Sequence, residues 1–276
     1  MPSETGYPVE QAVPKFALYP MHPAKPAVVL TLLLIGAAPA PAQENSAESR
    51  PAPTAHEYTV QHEALLREIE ANVERTREYL GKSALDVRVM HAMSTVPRHE
   101  FVPAPLRARA YENRPLPIGY GQTISQPYIV AIMTDLLALP AGCTALDIGT
   151  GSGYQAAILA EICETVYTIE IVEPLGREAA ARLERLGYKN VHARIGDGFF
   201  GWPEAGPFDA IVVAAVATKL PMPLVEQIKP GGRMIIPIGS RLGGQDLILV
   251  TKDTDGEIST ESILPVIFVP LTGDHE

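Results

Sequence analysis

The chain has 276 residues, a formal net charge of -10 and 46% hydrophobic residues, which describes a globular protein and excludes the fibrous and wholly disordered classes. Lys and Arg number 22 against 32 Asp and Glu, with no basic run, so a nucleic-acid backbone is not the expected partner. The two cysteines, Cys143 and Cys163, lack CxxC spacing and a nearby His cluster; no metal site is expected, and they read as small buried hydrophobes, a single bridge being open only if the chain is exported.

Residues 1–55 are rich in Pro and Ala, lack periodic apolar patterning and read as a leader without a packed fold. One apolar run, Ala27 to Ala38, is too short to span a bilayer but suits the core of a secretory signal peptide. Lys25 precedes it and Ala40-Pro41-Ala42 follows as a cleavage site, so a signal peptide from Met21 to Ala42 is expected, with Met21 as the start. Export to an oxidising or periplasmic compartment follows if the leader is used, with no stable membrane insertion after its removal; a cytoplasmic protein follows if it is not.

Residues 56–276 read as a single domain. Leu65, Leu66, Ile69, Val73 and Leu80 recur near a helical period, so a helix is expected from Tyr58 to Leu80, ended by Gly81. Ser83 is the expected cap of a second helix to about Met93, and Val96-Pro97 stops it. A Pro-rich stretch, 103–117, then leads through Thr123-Ile124-Ser125-Gln126 to Pro127, which opens an apolar helix to about Leu139. These parts, 56–140, form a helical extension on the substrate side.

From residue 141 short apolar strands alternate with helices. Strands are expected at Ala145 to Ile148, Thr165 to Ile171, Val191 to Ile195, Ala210 to Ala214 and Arg233 to Ile238, and helices at Gln155 to Ile162, Glu173 to Leu186 and Pro223 to Ile228. The pattern predicts a doubly wound α/β fold with a mostly parallel sheet. Asp246 to Lys252 and Ile263 to Val269 have no helix between them and read as a terminal antiparallel hairpin.

Three alternate glycines, Gly149, Gly151 and Gly153, with Thr150 and Ser152 between them, stand where the first of these strands turns into a helix. Glycine there permits a tight turn and lets a ligand approach bare backbone. Asp147 precedes the loop, Glu170 ends the next strand, where an acid accepts from ribose hydroxyls, and Asp197-Gly198 follows the third. The loop lacks the Gly-Lys-Ser/Thr of a P-loop, the spacing of a dinucleotide fingerprint and the flanking glycines of a hydrolase elbow. The arrangement that fits is an S-adenosyl-L-methionine site: Asp147 toward the amino-acid end, the loop beside it, Glu170 on the ribose and Asp197 with Gly198 at the adenine. Taken alone, Asp197-Gly198 is better read as an ordinary turn; it is the ordered set with Asp147, the glycines and Glu170 that points to the cofactor.

The fourth strand runs into Ala214 to Thr218, with no base, thiolate or metal ligand. An acceptor that is already anionic needs none, because a carboxylate placed in line attacks the methyl group directly. On these residues a small-molecule carboxylate or hydroxyl remains open as acceptor, and so does a non-catalytic protein that binds S-adenosylmethionine.

Val96 to Pro103, Ala110 to Gly119 and above all Gly121-Gln122-Thr123-Ile124-Ser125-Gln126-Pro127 resemble the protein-L-isoaspartate O-methyltransferase family, and the likeness continues from about Leu65 to the end. It departs in the export-like leader and around Glu74 to Lys82. The resemblance implies methylation of the free α-carboxylate of L-isoaspartyl, and of D-aspartyl, residues in damaged proteins and peptides, and collapse of the ester to a succinimide. It implies Ser125 as the residue that orients the acceptor, with Thr123, Ile124 and Gln126 shaping the wall, and a monomer. From the residues alone Ser125 is as well explained by capping the next helix. His99 tempts as a base but sits in a segment that reads as structural, with Tyr111 and Arg114 packing or positioning the loop before Ser125. Trp202 reads as core or pocket wall.

Overall fold

A computed structural model describes residues 53–240 and 243–273. The leader and its expected signal peptide, Met21 to Ala42, lie outside the described residues, as does the Arg241-Leu242 pair. Among the described residues no helix is long and apolar enough to cross a membrane.

Helix α1, Ala55–Arg75, begins at a capping box: the Glu57 N–H donates to the Thr54 hydroxyl at 3.2 Å, and the Thr54 N–H to the Glu57 carboxylate at 2.7 Å. Its buried face is Leu65, Ile69 and Val73. The expected single helix to Leu80 is broken at Thr76, and α2, Arg77–Leu80, ends at the left-handed Gly81. The second expected helix is shorter: α3, Val87–Thr95, is capped by Asp86 and not Ser83, because the Asp86 carboxylate accepts from the Arg88 N–H at 2.8 Å. Two short 3-10 turns follow, and then β1, Leu116–Gly119, and β2, Gln122–Ile124, form a small antiparallel hairpin. This hairpin, in a region expected to be helical or loop, carries the acceptor segment into α4, Pro127–Leu136.

The remaining chain gives β3 (Thr144–Ile148), α5 (Tyr154–Ala160), β4 (Thr165–Glu170), α6 (Glu173–Arg185), β5 (Val191–Ile195), β6 (Phe208–Val213), α7 (Met222–Glu226), β7 (Ile228–Ser240), β8 (Gly244–Lys252) and β9 (Ile258–Pro265). The sheet order is β5-β4-β3-β6-β7-β8-β9. Strands β3 to β7 are parallel to their neighbours, and β8 and β9 complete the sheet antiparallel, as the alternation of strands and helices predicts. Two differences stand out. Strand β7 begins at Ile228 and not Arg233, through a Pro-Gly-Gly stretch that reads as a turn, and β9 begins and ends earlier than expected.

The sheet buries apolar side chains on both faces. One face packs Ala145, Val166, Ala210 and Val212 with the helices that precede the sheet and with α5, and the other packs Leu146, Ile148, Ile211 and Val213 with Leu224 and Val225 of α7. Cys143 and Cys163 are buried as expected, but as a disulfide with Cα atoms 4.6 Å apart. One stands just before β3 and the other just before β4, where the two parallel strands start side by side.

Candidate active site

Strand β3 has β4 on one side and β6 on the other, so the chain winds outward in both directions from it. Loops leaving such a point diverge and leave a crevice at the carboxyl ends of the strands. Here the crevice is open to solvent and encloses about 730 Å³ counting its open mouth.

The donor side is built on β3. Ile148 ends the strand, and Gly149 and Gly151 take φ values of 88° and 51°, which a side chain would resist. The loop is clamped: the Gly149 and Thr150 N–H groups donate to the Ile169 carbonyl at 2.9 and 3.1 Å, and the Gly151 N–H to Glu170 Oε2 at 2.7 Å. From behind, Arg182 of α6 donates to the Ser152 carbonyl at 2.8 Å. The other Glu170 oxygen accepts from the Val172 N–H at 2.9 Å. Its carboxylate is thereby fixed in one orientation in the crevice wall, with lone pairs left for a ligand's hydroxyls.

Ser125 lies between β2 and α4, on the acceptor side of the same crevice. It caps nothing: Gln126 is the cap position of α4, and no side chain bonds there. The capping explanation of this serine therefore fails, and its hydroxyl faces other uses. Thr123 and Ile124 share the wall with it, as do Gly149, Thr150, Gly151, Ser152, Glu170 and Gly198 on the donor side.

Four expected site residues are not in the wall. Gln126 caps α4 from outside it. Gly153 is where the chain enters α5 against α6; an added Cβ would sit 3.2 Å from the Leu183 side chain, so this glycine serves close packing. Asp197 caps a 3-10 turn, accepting from the Phe199 N–H at 2.9 Å, and it is Gly198 that reaches the wall. A Cβ at Gly198 would lie 2.4 Å from Ile148 Cγ2, so nothing larger fits at this point of the wall.

Asp147 is fully buried behind the glycine loop. The Thr168 hydroxyl donates to its Oδ2 at 2.9 Å and stands 2.6 Å from the Thr150 hydroxyl, while Oδ1 has no partner among the described residues. Burial pushes the Asp147 carboxyl up to about 7, against the Thr168 hydrogen bond and with help from the Glu170 charge. Asp147 thus acts on the loop and on the crevice through Thr168 and Thr150.

His99 is not among the residues of the crevice wall. It stacks on Tyr58 at 4.0 Å, is 2.7 Å from the Tyr111 hydroxyl through Nδ1, and is held below its usual pKa by burial, as a packing residue would be. Trp202 packs edge-on to Tyr167 under the Arg194 guanidinium, in the second core and not in the wall.

Sequence reasoning missed one wall entirely. Val269 to Thr272 run beside the segment after β6, with the Val216 N–H donating to the Val269 carbonyl and the Leu271 N–H to the Val216 carbonyl, both at 2.8 Å. No motif marks this stretch. Gln122, Tyr154 and Gln155 were also missed, although they adjoin motifs that were noticed.

The sequence profile of a family described as protein-L-isoaspartate(D-aspartate) O-methyltransferase matches residues 73–276. A protein-L-isoaspartate O-methyltransferase from Syntrophobacter fumaroxidans is 62% identical over 79% of this chain and 88% of its own length. Another, from Cupriavidus necator, is 52% identical over 92% of this chain and 96% of its own. A Plasmodium falciparum protein assigned to the same enzymes and solved with S-adenosyl-L-homocysteine superposes with a TM-score of 0.64 at 28% identity, over 76% of this chain and 98% of that one. On this profile match and these identities the chain belongs to the protein-L-isoaspartate O-methyltransferase family.

Proposed function

We infer that this chain methylates the free α-carboxylate of L-isoaspartyl residues in proteins and peptides, with S-adenosyl-L-methionine as donor and Ser125 as the residue that seats the acceptor. The observation that carries this is the meeting of Ser125 and the glycine loop in the wall of one crevice. The residues present suit the donor: bare backbone at Gly149, Gly151 and Gly198, and a fixed Glu170 carboxylate able to accept from two ribose hydroxyls.

When bound, S-adenosyl-L-methionine supplies a methyl group made electrophilic by its sulfonium. The protein's task is placement. The Ser125 hydroxyl donates to one oxygen of the substrate carboxylate and leaves the other free to form the new O–C bond as the C–S bond breaks. The acceptor arrives ionised, so no general base is required, and the one carboxylate in the wall, Glu170, is engaged by the Gly151 and Val172 N–H groups. Thr150 and Thr168 carry hydrogen bonds from the loop back to Asp147 and keep the donor backbone in register.

The test is a pair of peptides that differ only in one linkage. The purified chain transfers labelled methyl to the isoaspartyl peptide as a base-labile ester and leaves the aspartyl peptide unlabelled. Equal labelling of both, or of neither, defeats the reading.

The bridged cysteines support the export expectation, because disulfides persist in oxidising compartments. Sequencing the mature amino terminus tests this: a start at Gln43 agrees with it, and a retained Ala27–Ala42 segment contradicts it.

A further inference from the structure

Among the described residues Arg98 is the largest side chain with no solvent exposure, and its surroundings are unusual for a cation. Its Nε donates to the Ala110 carbonyl and its Nη2 to the Ser125 carbonyl, each at 2.8 Å. The guanidinium carbon lies 4.8 Å from the centroid of the Tyr154 ring, and Nη1 has no hydrogen-bond partner among the described residues. The titratable groups that face it are tyrosines, Tyr154 and Tyr111, whose phenols burial keeps protonated and neutral; among the described residues no carboxylate pairs with it. Burial pushes its pKa down to about 10, which leaves it cationic at neutral pH.

A guanidinium buried without a counter-ion is costly, and a neutral side chain could join two carbonyls as an amide does. The charge therefore calls for a use. The crevice wall holds one carboxylate, Glu170, and no Lys, Arg or His, so the acceptor side has no cation of its own although the acceptor is an anion. Arg98 stands directly behind that side. It also touches both halves of the site, since Ser125 belongs to the acceptor wall and Tyr154 opens α5 immediately after the glycine loop.

We propose that Arg98 is a positioning residue for the acceptor: it fixes Ser125 through that residue's carbonyl, sets the spacing of the acceptor wall from the donor loop, and supplies the positive field that draws the substrate carboxylate in. The proposal rests on the reading of Ser125 given above.

The experiment compares the wild-type chain with Arg98→Met, which removes charge and donors, and Arg98→Lys, which keeps the charge but cannot span both carbonyls. Each is assayed with the isoaspartyl peptide, and each is titrated with S-adenosyl-L-homocysteine by calorimetry. In Arg98→Met, kcat/KM for the peptide falls about 100-fold, through both a higher peptide KM and a lower kcat, while S-adenosyl-L-homocysteine affinity changes by less than about threefold. Arg98→Lys recovers about tenfold of that loss. Peptide kcat/KM in Arg98→Met within about threefold of wild type overturns the proposal, as does an equal loss of homocysteine-ligand affinity, which marks a merely structural residue. Should Arg98→Met not fold, Arg98→Lys decides: an intermediate peptide kcat/KM with intact ligand affinity upholds the proposal, and wild-type kcat/KM or lost ligand affinity ends it. An inactive wild-type chain would instead overturn the proposed function. In that case amide exchange at residues 122–126 decides for Arg98: it quickens in either variant relative to 149–153 if the tie to Ser125 holds that segment, and is unchanged if it does not.

Discussion

The Gly151 amide donates to the Glu170 carboxylate at 2.7 Å, so the residue expected to grip the ribose also fixes the loop that would lie beneath the methionine moiety. One side chain thereby sets the geometry of two parts of the donor site, and its loss should be felt at both.

Glu170→Gln keeps one acceptor oxygen but replaces the other with a donor, which would face the backbone N–H of Gly151 or Val172. Hydrogen bonds to a charged group contribute about 1.5–3 kcal/mol, so S-adenosyl-L-homocysteine should bind about 10- to 150-fold more weakly. Calorimetric titration measures this. Unchanged affinity would mean that the carboxylate neither holds the loop nor meets the ligand.

Ser125→Ala should separate the two halves of the site in the opposite sense. Turnover of the isoaspartyl peptide falls about 10- to 100-fold, because orientation of the acceptor is lost, while ligand affinity on the donor side stays as it was. Fluorescence or calorimetric titration alongside the methyl-transfer assay reads both. A large loss of donor affinity would place Ser125 in the donor site instead.

Asp147 predicts a pH dependence with a definite sign. Its carboxyl is raised to about 7 in the folded chain against 3.8 when free, so the folded state holds a proton that the unfolded state has released between those values. Stability should therefore fall as pH rises from about 4 to 7 and then level, by an amount on the order of a few kcal/mol. A cationic donor opposes this by favouring the ionised form, so S-adenosyl-L-methionine affinity should rise through pH 7. Denaturant unfolding and ligand titration across that range test the two slopes, and Asp147→Asn should flatten both.

The bridge between Cys143 and Cys163 joins the starts of β3 and β4, so the glycine loop and α5 lie inside the ring it closes. Replacing both cysteines with alanine should cost about 3 kcal/mol of stability, the scale for a ring of this size. Intact-mass measurement on chain purified without reductant should show the oxidised form, and denaturant midpoints for the two proteins give the difference.

Much of the α/β core could be read in advance because strands buried on both faces must be short apolar runs, and Leu146, Ile169, Ile211 and Ile235 stand in such runs. The acceptor hairpin could not. Its strands are three and four residues long, and one contains Pro117, so neither length nor alternation marks them. The Ser83 cap failed because Asp86, three residues on, offers its own carboxylate to the backbone of the helix, and periodicity does not choose between them. Arg98 was invisible for a different reason: a charged side chain is presumed to face water, and only tertiary structure shows this one enclosed. The glycine loop and Glu170 were legible because nucleoside chemistry restricts which residues can stand there. Gln126 and Asp197, expected as ligand contacts from their places beside Ser125 and after the third strand, stand just outside the crevice wall at the cap positions of α4 and of a 3-10 turn.

The wall formed by Val269 to Thr272 is laid down after every strand of the sheet. A released chain ending at Pro265 would hold every strand of the sheet and yet present a donor cleft lacking one side. Occupancy by the nucleoside should therefore need the last residues, and an affinity tag inserted just after Pro265 would disturb ligand capture while sparing the fold.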